Sequence, residues 1–239
     1  MSAHTQMSPL VSQQRSEIIQ NFPLFLGIPL EDRRTIVTRA QGKQLNRGKN
    51  VFFQGDHVEH VFLLTSGCVK FIQTGEDGKE VILRIAGQGE VLNAGSCMKC
   101  FSQCSTAQAL ESSTALTWEV KAFEALMEQF PALRNNVWRD FHKVVNQLEE
   151  RYREICTRKV ASRISSELVR LAPNAKKQLN EHRLALSQRD LAQLTGTTLF
   201  TVNRVLNQWE LDGIVKTQRN TVVLQDVPAL VKLSQMDED

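Results

Sequence analysis

The stretch LSQRDLAQLTGTTLFTVNRVLNQWELDG, residues 186–213, decides how the chain reads. Ser187 followed by Asp190 is a capping box with Asp in place of the usual Glu, and it opens a helix that Gly196 breaks. Thr197 or Thr198 caps a second helix, which stops at Gly213. Two helices joined by a short turn holding one Gly form the helix-turn-helix arrangement. Leu191, Leu194, Val202, Val205 and Leu206 supply its buried face, and Ala192 is small enough for the helices to cross closely. Thr198, Leu199, Phe200, Asn203, Arg204 and Asn207 fall on the opposite side of the second helix or at its N-terminal end, which in such folds enters the major groove. The following IVKTQRNTVVLQD (214–226) reads as a hairpin around Gln218-Arg219-Asn220, a wing that presents Lys216 and Arg219 to phosphates. Ser187, Gln188 and Thr197 complete the expected DNA-facing set.

Charge supports this reading. The whole chain carries only +3, but residues 157–226 hold 11 Lys and Arg against 6 Asp and Glu, whereas residues 1–156 hold 17 of each. A basic excess confined to one segment points to a polyanionic partner, nucleic acid first. A small helical packing module with a basic surface is the competing interpretation, and the wing favours DNA. No Gly-rich phosphate loop or Ser-His-Asp grouping suggests an enzyme.

Upstream, residues 132–158 form one long helical pattern. Leu133, Val137, Phe141, Val144, Leu148, Tyr152 and Ile155 recur at steps of three and four, a heptad-like seam between charged flanks. Such a stripe packs either on its own domain or on a second copy of the helix; its narrowness favours a homodimer. KVASRISSELVRLA (159–172) is a further amphipathic helix, followed by a polar linker, NAKKQLNEHR. From 41 to 119 the texture is β: short runs such as HVFLLTSG (60–67), CVKFIQTGEDGKE (68–80), VILRIAGQGE (81–90) and STALTWEV (113–120) alternate with turns, and nine of the twelve glycines lie here. Gly75-Glu-Asp-Gly78 is a hairpin signal. Many short strands at this spacing predict a barrel or sandwich. The domain reading is therefore a flexible leader (1–21), a sensory β domain (22–131), a dimerisation helix (132–158), a winged helix-turn-helix (159–226) and an acidic tail (227–239). With no membrane-length apolar run and no visible signal peptide, a soluble, cytoplasmic protein is expected.

Three of the five cysteines, Cys97, Cys100 and Cys104, stand as C-x2-C-x3-C in GSCMKCFSQCS. Thiolates at that spacing suit an iron–sulfur cluster or zinc, and also reversible disulfide chemistry. Lys99 lies near enough in sequence to depress a thiol pKa. A fourth ligand would be Cys68 or Cys156, a histidine or an external molecule. Polar neighbours such as Ser102 and Gln103 speak against three cysteines merely filling a dry core.

The order of β domain, long helix and winged helix-turn-helix resembles the CRP/FNR family of bacterial transcription regulators from about residue 22 to 226. VEHVFLLTSGCVKFIQTGEDGKEVILRIAGQGEVL is similar to the family's β-roll signature, and TGTTLFTVNRVLNQWELDGIV to its turn and recognition helix. The resemblance implies an α+β fold: an N-terminal double-stranded β-helix of the jelly-roll, cyclic-nucleotide-binding type, a dimerisation helix and a C-terminal winged helix-turn-helix. It implies a homodimer on a palindromic double-stranded DNA operator, with RNA polymerase as a partner and no membrane. Arg204 matches the family's base-contacting Arg, while Phe200 stands where a polar residue, often Glu, is usual. Nucleotide-binding members hold ribose and phosphate with a Gly-Glu-Leu and an Arg-Ser pair; here Asn93-Ala94-Gly95 and Cys104-Ser105 stand there, so cAMP is not expected. Oxygen-sensing members carry N-terminal cluster cysteines, and this chain has none before Cys68. The expected signal is redox, oxygen or nitric oxide through an Fe–S cluster or thiols, with zinc, haem or a small organic ligand as rival effectors and a non-DNA sensory subunit as the rival class.

Overall fold

The computed structural model describes residues 21–93, 102–174, 176–178 and 181–236. They fall into two compact units, one built from residues up to Val69 with Ala86–Val145, the other from Lys70–Ile85 with the chain from Asn146 onward. The expected combination of β-roll, long helix and winged helix-turn-helix is what forms.

In the first unit, strands β1 (Gln41–Leu45), β7 (Ser113–Glu119) and β3 (His60–Ser66) make an antiparallel sheet in the order β1-β7-β3. β2 (Asn50–Phe52) pairs antiparallel with β6 (Thr106–Ala109). Helices α1 (Leu30–Thr38) and α2 (Val120–Gln129) and the start of α3 (Pro131–Thr157) close the core around Ile36, Leu63, Trp118, Phe123, Leu126 and Leu133. Trp118 is almost wholly enclosed and its indole N–H donates to the Ile36 carbonyl at 2.9 Å, so its one polar atom is satisfied. Asn136, on α3, donates to the carbonyls of Leu24 and Leu26 and pins the short turn of helix at Pro23–Phe25. At Gly67 the backbone is left-handed and any Cβ would stand 2.1 Å from Ser113 Oγ, so only glycine fits.

The second unit contains the hairpin of β4 (Val69–Thr74) and β5 (Glu80–Ala86), the C-terminal half of α3, α4 (Val160–Leu171), α5 (Gln188–Thr195), α6 (Leu199–Leu211), and a four-stranded sheet. That sheet runs β10-β11-β9-β8, from β8 (Lys176–Gln178), β9 (Glu181–Leu184), β10 (Val215–Gln218) and β11 (Thr221–Leu224). Two sequence expectations are corrected. The polar linker is a hairpin, β8–β9, added to the wing because β11 offers it a free edge: Val222 pairs with Leu184 and Leu224 with His182. The tail is helical from Val227 to Gln235 (α7), with the Asp226 carboxylate accepting from the Ala229 N–H as its cap. α7 packs on α4 through fully buried Leu230. Ser165 Oγ donates to the Leu230 carbonyl at 2.5 Å, and Ser162 Oγ and Arg158 Nη1 both donate to the Ser234 carbonyl.

α7 is thus part of the DNA-binding unit's core. Leu230→Ala is expected to destabilise that unit by about 2–5 kcal/mol, the range for truncating a buried leucine. Urea unfolding followed by circular dichroism measures it, and a change under 1 kcal/mol would place α7 outside the core.

Candidate nucleic-acid interface

The local sequence builds α5, the turn and α6 almost unaided. Ser187 Oγ accepts from the Asp190 N–H at 3.0 Å while the Asp190 carboxylate accepts from the Ser187 N–H at 3.1 Å, closing the capping box. Gly196 ends α5 in the left-handed conformation at φ 62°, where a side chain would be strained. Thr198, not Thr197, caps α6: its Oγ1 accepts from the Thr201 N–H. Leu191, Leu194, Val202 and Leu206 are buried, with Val205 half-buried, and they hold the two helices together.

The outer face of α6 carries what the sequence places there. Phe200 is 77% exposed, Leu199 46%, and Arg204 and Asn207 face solvent. Asn203 departs from the expectation: it is half-buried, and its Oδ1 is enclosed with no hydrogen-bond partner. Ser187, Thr197 and Gln188 are half-buried, and the Ser187 hydroxyl is committed to its cap. On the wing, Lys216 and Arg219 are exposed, and Asn220 takes a left-handed φ of 57° in the tight turn between β10 and β11. Glu210 of α6 fixes the wing to the helix, accepting from the Thr217 N–H at 3.1 Å and hydroxyl at 2.8 Å.

Asp190 has a further partner. Lys70 Nζ, from β4, lies 2.6 Å from its carboxylate, and both side chains are largely shielded from water. Burial pushes the Asp190 carboxyl upward, but the Lys70 ammonium and the Ser187 donors outweigh it and hold the group below the usual carboxylate range.

Along α3 the seam needs re-phasing. Leu133 and Val137 belong to the first unit's own core, at 0% and 1% exposure, so Val137 is not available to a second copy. Phe141 packs partly on the same core. The apolar stripe open to solvent runs one residue later at its start: Trp138, Phe141, Val145, Leu148, Tyr152 and Ile155, at alternating steps of three and four. Trp138, Tyr152 and Ile155 are exposed, the other three half-buried, and Val144 is half-buried beside them. Trp138 stacks edge-on against Phe141 with centroids 6.3 Å apart.

Of the candidate metal ligands, Cys97 and Cys100 lie outside the described residues. Cys104 is exposed, Cys68 half-buried and Cys156 exposed on α3. Among the described residues no three His, Cys, Asp or Glu side chains converge on a common point. The exposed sulfur of Cys104 is a chemically suitable donor for iron or zinc, but one donor does not make a site, and fit to a cluster rests on the spacing in the sequence. Asn93, where nucleotide-binding members begin their ribose-binding motif, is 7% exposed and spent on β3, donating to the His60 carbonyl at 2.6 Å and accepting from the Phe62 N–H.

Comparison with known proteins agrees with this architecture. A family model described as cyclic nucleotide-binding domain matches residues 42–130, and one described as Crp-like helix-turn-helix domain matches residues 162–233. The chain is 24% identical over 212 residues to the cyclic AMP receptor protein of Thermus thermophilus, covering 89% of this chain and 96% of that one. It is 26% identical over 215 residues to the transcriptional activator protein anr of Pseudomonas aeruginosa, covering 87% of each. Among solved structures, FixK2 from Bradyrhizobium japonicum superposes with a TM-score of 0.74 at 18% identity, over 83% of this chain and 99% of that one. Among the described residues no helix is long and apolar enough to cross a membrane. The two matched domains, in this order and joined by this helix, are those of transcription regulators rather than enzymes, and the chain belongs to the CRP/FNR family of DNA-binding regulators.

Proposed function

We propose that the protein binds a palindromic operator as a homodimer and changes its occupancy in response to a redox signal at its cysteines. The observation that carries the DNA reading is the outer face of α6, where Phe200, Arg204 and Asn207 stand clear of the fold beside a basic wing. Arg pairs in bidentate fashion with guanine O6 and N7, whereas Phe accepts no hydrogen bond from cytosine and packs instead on a thymine methyl. Two copies related by a two-fold axis place their α6 helices in successive major grooves, so half-sites fall about 34 Å apart. RNA polymerase is the partner through which such a regulator acts.

The homodimer reading is supported by the re-phased stripe of α3. A heptad-spaced apolar row in which Trp138, Tyr152 and Ile155 are exposed is the kind of surface a second identical helix covers. The signal reading is supported by Cys97, Cys100 and Cys104, whose thiolates would ligate an iron–sulfur cluster or exchange with a disulfide. A cyclic nucleotide is disfavoured although a relative is named for cyclic AMP. No Arg stands at Cys104-Ser105 to neutralise its phosphate, and Asn93 is already hydrogen-bonded.

Three measurements check these readings. In selection from random duplexes, Arg204→Ala should cost about 1–3 kcal/mol of discrimination at one guanine per half-site, while Lys216→Ala and Arg219→Ala weaken all sequences alike and flatten the salt slope. An unchanged preferred sequence in Arg204→Ala would refute the assignment of α6. Leu148→Glu sets like charges against each other across the two-fold axis, so sedimentation should show monomers; a fully dimeric variant sinks the seam. Replacing Cys97, Cys100 and Cys104 together by Ser should abolish the visible absorption and iron content of anaerobically purified protein, or its response to oxidant. A triple variant with unaltered signal-dependent DNA binding excludes a cysteine-centred sensor.

A further inference from the structure

Residues 70–85 belong by sequence to the cyclic nucleotide-binding match, yet they pack with the DNA-binding helices. Three contacts tie this hairpin down. Lys70 on β4 forms its 2.6 Å ion pair with Asp190 in the first turn of α5, the side chains 14% and 13% exposed. Gln193, one turn further along α5, donates to Glu80 at 3.4 Å. Arg151 of α3 donates to the Leu83 carbonyl of β5 while pairing with Glu167 of α4. With the hairpin so docked, Leu199, Phe200, Arg204 and Asn207 of α6 remain open to solvent, as do Lys216 and Arg219 of the wing. The docked arrangement is therefore one that leaves the DNA-reading face uncovered.

We propose that Lys70 is a positioning residue for DNA binding: by gripping Asp190 it locks the helix-turn-helix onto the β4–β5 hairpin in a DNA-competent arrangement, making that hairpin the sensory segment through which affinity is set. This rests on the DNA-binding function proposed above. Asp190 suits the task because one carboxylate does two jobs. It closes the capping box with Ser187, which fixes the start of α5, and it receives Lys70, which fixes α5 to β4. Without Lys70 the box persists and α5 still forms, but the helix-turn-helix loses its anchor. Apparent affinity then falls in proportion to the fraction of molecules that keep the competent arrangement.

The test compares Lys70→Met, Lys70→Arg and the double variant Lys70→Met/Asp190→Asn, which leaves no carboxylate buried without a counter-charge, with the unaltered full-length protein on the duplex it selects. Lys70→Met and the double variant should bind roughly tenfold more weakly, the loss expected if the competent fraction drops to about one tenth. The preferred sequence and the salt slope should not change, and Lys70→Arg should regain most of the affinity. A slope reduced by about one counterion would make Lys70 a phosphate contact and overturn the proposal. So would unchanged or tighter binding, which would make the docked arrangement neutral or inhibitory. Hydrogen exchange on the DNA-free protein provides the independent arm: in the two Met variants, amides of 80–86 and 188–195 should exchange faster together while those of β1, β3 and β7 stay as they were. Acceleration confined to one of the two segments, or spread over the whole chain, refutes the coupling. If the unaltered protein bound no duplex at all, the functional reading would fail, and this exchange result would still decide whether Lys70 joins hairpin to helix.

Discussion

Arg151 is the charge on which the second unit is assembled. The residue is 8% exposed, and its guanidinium forks onto both oxygens of Glu167 at 2.7 and 2.6 Å, with a further N–H on the Leu83 carbonyl. Glu167 also receives Arg170, which reaches across to Glu154, and Glu154 in turn meets Arg158. One network therefore joins α3, α4 and β5, and Arg158 extends it to the Ser234 carbonyl near the end of α7. Burying these groups is costly, and removing one partner of such a pair typically costs about 3–5 kcal/mol because the other is left uncompensated. Among the described residues, Arg158 Nε is a buried guanidinium atom of this network left without a hydrogen-bond partner.

That arrangement reverses the usual sense of an amphipathic helix. In the first part of α3 the apolar side chains, Leu133 and Val137, point into their own core and the helix is conventional. In its last part the inward side chains are Arg151 and Glu154, and the apolar ones, Tyr152 and Ile155, face out. A contiguous apolar row left on the outside of a helix is the kind of surface that marks an interaction site. The ion network and the stripe are thus two sides of one constraint. The inner face holds the chain together by directional bonds, which leaves the apolar residues on the outer side.

The same reversal explains what was legible in the sequence. Helix caps are local, so Ser187, Asp190, Gly196 and Thr198 announce α5 and α6 from residues within four positions of one another. The strands of the roll announce themselves by short β-rich runs and by glycine turns such as Gly67 and Gly78, both left-handed. The seam was legible as a period but not as a phase, because Leu133 and Val137 continue the same steps on a face buried in the chain's own core. β8–β9 was illegible because Leu184 is the one apolar residue in its two strands; it pairs with β11 through contacts that only the fold supplies. α7 precedes a charged end that reads as a tail, and its buried Leu230 packs on α4, a contact that only the fold supplies. Lys70 carried no signal, since its partner lies 120 residues away.

The polar groups around the turn also narrow which residues are left to read DNA. Ser187 and Asp190 hold each other, Thr198 holds Thr201, Glu210 holds Thr217, and the Asn203 carbonyl oxygen is enclosed. A donor or acceptor already engaged in fixing the scaffold can recognise a base only by giving up that bond, which costs about 0.5–1.5 kcal/mol. The side chains without such commitments are Leu199, Phe200, Arg204 and Asn207, two apolar and two polar. An exposed phenylalanine in the first turn of the helix gains nothing from water and everything from an apolar surface. The thymine methyl is the apolar feature of the major groove. Around the turn, hydroxyls and carboxylates thus build a rigid frame and leave an arginine and an aromatic ring exposed on its outer side.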